Sequence, residues 1–161
     1  MIKLNVLILS ACLCLVGCLG SPDVGQKAVA KIEALNRSAV SGVINFEQLP
    51  DEVKLSGLLR GLDPFQVVYL SIYNYGDLSK ASGRFLGQQF NGSAGNIELK
   101  SDNKGNLLFD VVSSDFNVVG DAAILGRSIV IHADQSAHSK PDFVSFLGAG
   151  VIGYKYQEPK K

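Results

Sequence analysis

Two histidines, His132 and His138, are the only imidazoles in the chain, and three cysteines, Cys12, Cys14 and Cys18, are the only thiols. Imidazole and thiolate are the groups that most often hold copper or zinc, several at once and at fixed geometry. Two imidazoles do not complete such a site. Copper held by His132 and His138 would need non-histidine or subunit-shared ligands. His132 ends the apolar run Ser128-Ile129-Val130-Ile131-His132 and reads first as a core histidine satisfied by hydrogen bonds. His138 sits in the polar stretch Ser136-Ala137-His138-Ser139-Lys140 and reads as a solvated residue. The thiols all fall within the first 18 residues, so nothing after them can run thiol chemistry. No Gly-x-Ser-x-Gly elbow or phosphate-binding loop occurs. Asp63 and Asp77 are separated by strand and turn signals and make no carboxylate pair. Tyr69, Tyr73 and Tyr75 recur at period two, which puts them on one face of a strand. Sheet packing explains them; an aromatic ligand platform is the alternative.

These residues need a scaffold, and the composition bounds it. The 161 residues suit one domain after a short leader. Formal charge is zero, 15 basic against 15 acidic, with no basic stripe, which excludes a nucleic-acid partner. Seventeen glycines and no tryptophan fit a turn-rich β protein. Lys3 precedes an apolar run from Leu4 to Val16, too short to span a membrane. The run ends in Leu15-Val16-Gly17-Cys18, which resembles a bacterial lipobox. That motif implies a signal peptide over 1–17, a Cys18 carrying diacylglycerol and palmitate-type chains, and a flexible tether over 18–26. An ordinary cleaved leader is the alternative. With lipidation, the membrane is a partner through the anchor. The protein is then expected in a bacterial cell envelope, facing the periplasm or the exterior.

Residues 27–156 read as strands. Alternation marks 28–35, 40–48, 53–60 and 66–75. Segments 95–100 and 107–113 read as a hairpin around Ser101-Asp102-Asn103-Lys104-Gly105, whose residues suit positive φ. Strands over 128–133 and 149–156 follow, with long loops over 76–93 and 134–148 and a frayed tail over 157–161. The fold class is all-β, an eight-stranded Greek-key β-barrel or sandwich.

Seven ordered strings point further. Gly42-Val43-Ile44-Asn45-Phe46-Glu47-Gln48, Leu58-Leu59-Arg60-Gly61-Leu62, Gly76-Asp77, Phe90-Asn91 with Gly95-Asn96-Ile97, and Gly126 to His132 with Gly150-Val151-Ile152-Gly153 occur in sequence. Together they resemble the copper/zinc superoxide dismutases over nearly all of 27–153. The resemblance implies that family's barrel. It also implies where copper and zinc ligands would stand. The family's His-Val-His pair falls on Ser71 and Tyr73, its bridging histidine on Gln89, and its last copper histidine on His132. The zinc loop is replaced by the short join Asn91-Gly92-Ser93-Ala94-Gly95. The family's disulfide would link the loop near Ser82-Gly83 to Ala149, where no cysteine stands, and Phe146 lies near the place of its substrate-guiding arginine. The expectation is a dismutase-like lipoprotein that has lost catalysis and carries no cofactor, with a binding or structural role. The alternatives are a genuine dismutase or a weak copper binder around His132. Phe85, Leu86, Phe143, Val144 and Phe146 are expected to repack the vacated site; an exposed patch for a partner is the alternative.

Overall fold

Along the strands, small and aliphatic residues alternate with polar ones, and the structure buries the apolar set. The computed structural model describes residues 24–90, 96–133 and 145–157. The leader with Cys18, the join 91–95, His138, Phe143 and Val144 lie outside the described residues. Among the described residues nine strands form: β1 (Lys27–Ala34), β2 (Ser41–Gln48), β3 (Val53–Arg60), β4 (Val67–Tyr73), β5 (Ile97–Lys100), β6 (Leu107–Ser113), β7 (Ser128–His132), β8 (Phe146–Val151) and β9 (Gly153–Tyr154). Ala28, Ala30 and Ile32 of β1, Ile44 and Phe46 of β2, Val53, Leu55 and Leu59 of β3, and Val68, Leu70 and Ile72 of β4 face one another in the interior. No α-helix forms among the described residues.

The strands follow the order β5-β4-β7-β8-β1-β2-β3-β6, every pairing antiparallel. β1 joins the two halves: Lys27 to Ile32 pair with β2, and Glu33 and Ala34 with β8. The β3–β4 and β6–β7 connections cross between the halves, which makes a nearly closed Greek-key barrel. The two-residue β9 adds a short pairing with β1 to the expected eight strands.

Three expectations need correction. The 95–100 and 107–113 segments are not a hairpin ladder: β5 pairs with β4 and β6 with β3. The turn between them does form. Asp102 Oδ1 accepts from the backbone N–H of Lys104 (2.7 Å) and Asn106 (2.8 Å). Gly105 holds φ of 74°, and a Cβ there would lie 2.0 Å from the Leu62 carbonyl oxygen. Wider sheets on either side then claim the two strands. The last strand begins at Phe146 rather than Ala149, and breaks at Ile152, whose N–H bonds Arg127 O at 2.9 Å instead of a neighbouring strand. Tyr75 lies beyond β4 and is 63% exposed, whereas Tyr73 is buried.

Candidate functional site

A second apolar layer lies outside the barrel. All five residues of β7 are buried, so its outer face is covered as well as its inner one. Val130, Tyr73, Phe146 and Ala149 pack there with Leu35 and Leu86. Period two places Ser71 and Tyr73 of β4, and Val130 and His132 of β7, on this outer face.

Three local features bring the polar residues together. The β4–β7 register sets Tyr69 opposite His132 and Ser71 opposite Val130. The segment after β4 folds back: Asn74 N–H bonds Gln88 O at 3.0 Å and Phe90 N–H bonds Ile72 O at 2.8 Å, and Tyr73 bridges to Gln89. Ile97 pairs with Leu70, so Asn96 comes beside Ser71. Arg127 clamps the returning segment, with its guanidinium 3.7 Å from the Phe90 ring centre and Nη1 3.0 Å from Asn74 Oδ1.

The result is a buried polar chain. Ser71 Oγ donates to Asn96 Oδ1. Gln89 Nε2 donates to the same oxygen at 2.8 Å. His132 Nε2 stands 2.8 Å from Ser71 Oγ. Whichever of the two atoms donates, this bond occupies the imidazole nitrogen that faces Ser71. Aromatic rings enclose the imidazole: Tyr69 and Phe146 have ring centres 5.8 Å and 6.2 Å from it. Tyr73 meets Phe146 edge-on at 5.3 Å. Burial pushes the Tyr73 phenol up to about 12, so it stays protonated at neutral pH.

The four positions that the resemblance marks are thus one neighbourhood. They supply one imidazole already hydrogen-bonded through Nε2, a hydroxyl, a protonated phenol and a carboxamide. Such a donor set does not fit copper or zinc. Gln89 Oε1 is buried without a hydrogen-bond partner, but one neutral oxygen does not change this. Among the described residues, no three His, Cys, Asp or Glu side chains gather as a metal would need. Near one end of the disulfide that the resemblance implies, Gly83, at φ 72°, has no room for a side chain: a Cβ there would be 2.8 Å from Phe146 Cδ2. Leu86 and Phe146 fill this layer, while Phe85 points outward, 42% exposed, and does not. Asn96 is the residue that sequence reasoning missed. Its trace was its place in the string Gly95-Asn96-Ile97, which was quoted for the family resemblance and given no part in the site.

The barrel and the position of its outer-face site define a copper/zinc dismutase scaffold. The family model for copper/zinc superoxide dismutase (SODC) matches residues 40–153, and the chain belongs to that family. It is 32% identical over 152 residues to a superoxide dismutase [Cu-Zn] of Onchocerca volvulus, covering 81% of this chain and 85% of that protein. It is 28% identical over 124 residues to an extracellular superoxide dismutase [Cu-Zn] of Brugia pahangi, covering 67% of this chain and 60% of the relative's length.

These relatives overturn the bacterial-envelope expectation. Both come from nematodes, and one is named as extracellular. The motif behind that expectation is four residues at the end of an apolar leader, a pattern that small residues after a leucine-rich run meet by chance. A likeness spread over most of the chain outweighs it. Among the described residues, no helix is long and apolar enough to cross a membrane.

Proposed function

We propose that this chain is a superoxide dismutase-family barrel that works without a redox metal, as a binding or structural protein. The observation behind this reading is the hydrogen bond between His132 Nε2 and Ser71 Oγ, 2.8 Å long. A metal would have to break that bond and strand a buried hydroxyl network, which costs about 1–3 kcal/mol per group left unsatisfied. It would gain a single imidazole in return.

The names of the two nematode relatives favour a second reading, a superoxide dismutase with an aberrant site. That reading needs the His132 ring released from Ser71 and ligands from elsewhere in the chain or from another subunit. Metal loading separates the two. The full chain is incubated with copper and zinc, desalted, assayed for bound metal and tested for superoxide consumption. On the proposed reading copper stays far below one ion per chain, is unchanged in His132→Ala, and no dismutation is measured. Stoichiometric copper that vanishes in His132→Ala, with dismutation, establishes the second.

A further inference from the structure

Asn36-Arg37-Ser38 and Asn91-Gly92-Ser93 both read Asn-x-Ser with no proline between, and neither triplet has a part in the outer-face network. Such a triplet is the acceptor for an N-linked oligosaccharide in a chain that takes the secretory route, where it has to lie at the surface. The second triplet falls in the join outside the described residues. The first lies just past the end of β1.

Asn36 and Arg37 are the two central residues of a tight turn. Ser38 N–H returns to Leu35 O at 2.9 Å, and the two φ angles are positive, 49° and 65°. That is the type I′ geometry, which asparagine adopts readily. Both residues are exposed, between buried Leu35 and buried Val40. On its inner side the turn is tied to β8. Asn36 Nδ2 donates to Phe146 O at 3.0 Å, and Ser38 Oγ donates to Leu147 O. A carboxamide nitrogen carries two protons, and a sugar replaces one of them, so the amide keeps a proton for Phe146 O. The leader supplies the route. Lys3 followed by the apolar run Leu4 to Val16 has the make-up of a secretory signal peptide, and the two nematode relatives come from animals whose secretory route performs this modification.

We propose that Asn36 carries an N-linked glycan, acquired as the leader takes the chain across the secretory membrane. Before the turn closes, Asn36 Nδ2 attacks C1 of the first sugar of an oligosaccharide held on a polyprenyl diphosphate. A bond forms from Nδ2 to C1, the bond from C1 to the diphosphate oxygen breaks, the amide gives up one proton, and the lipid diphosphate leaves. Folding then fastens the turn to β8 with the glycan on the solvent side, next to the segment whose Ala81 carbonyl accepts the Asn36 backbone N–H at 3.2 Å.

The full chain with its own leader is produced in insect cells, and medium and cell extract are both collected. Peptide N-glycosidase acting in heavy-oxygen water converts a glycosylated asparagine to a labelled aspartate, which peptide mass spectrometry locates. The expected result is label at position 36 in most chains, together with a drop in apparent size on treatment. Ser38→Thr preserves the triplet and should keep the glycan, whereas Ser38→Ala destroys it and should lose the label at 36. An unlabelled Asn36 overturns the proposal, and so does label at Asn91 alone or a chain that never enters the secretory route. The unsubstituted protein decides the matter even if Ser38→Ala, which also loses its bond to Leu147 O, fails to fold. The readout is covalent and stands apart from whether the barrel binds metal.

Discussion

Ser71 is the pivot of the outer-face network, because it touches both His132 and Asn96. Ser71→Ala removes the hydrogen-bond partner of His132 Nε2 inside a closed layer. We expect a loss of about 1–3 kcal/mol in urea unfolding with an unchanged slope. A loss near zero would mean that the network contributes nothing to stability. Tyr73 makes a different demand. Its phenol ionises near 10.0 when unfolded and near 12 when folded, so between those values the folded state keeps a proton that the unfolded state has shed. Stability therefore falls as pH rises through that window, by about 2–3 kcal/mol at its upper end. Tyr73→Phe should flatten that alkaline decline, measured as melting temperature against pH. Sequence placed Ser71, Tyr73, Gln89 and His132 in one neighbourhood because ordered motifs on either side fix their strand positions. It could not reveal Asn96, whose place depends on the Leu70–Ile97 register, a tertiary fact with no local signature.

At the scale of elements, the turn from Asp102 to Asn106 illustrates a limit of local reading. Its residues specify the turn, and the turn is present. Nothing local says which strands its arms will join. The arms lie along β4 and β3, each offering a strand edge to pair with, and those long-range ladders decide the outcome. The turn also has an acid signature. Hydrogen bonds from the backbone of Asn106 and Lys104 hold the Asp102 carboxyl below its ordinary value of 3.8. A lowered value means stability that is complete above the ordinary value and is lost as pH falls through the folded one. Urea midpoints taken from pH about 5 to about 2 should drop more steeply for the unsubstituted protein than for Asp102→Asn. Parallel curves would show that this carboxylate is no part of the acid response.

For the molecule as a whole, stability has to come from apolar packing. Interior and outer layers share β4, β7 and β8, and Phe146 of β8 closes the outer layer where the family resemblance implied a disulfide nearby. Dialysis against a chelator should accordingly leave the melting temperature where it was, by calorimetry. A fall of several degrees would point to a structural metal worth more than the hydrogen-bonded network replaces. The barrel was legible from sequence because its evidence was redundant, with seven strings in order over a long stretch. The source was misread because its evidence was four residues. One further feature of the barrel concerns timing. The fully buried Gln48 accepts the Val118 N–H at 2.7 Å and donates to Leu49 O at 2.8 Å, with Asn117 Oδ1 3.3 Å away. It buckles the β2–β3 corner to a connection 70 residues downstream. That buckle needs the crossing segment in place, and a contact of such long sequence separation is expected to form late in folding. Gln48→Ala should therefore hasten unfolding several-fold in stopped-flow traces while barely altering the refolding rate, so the residue governs how long the native barrel lasts rather than how quickly it is made.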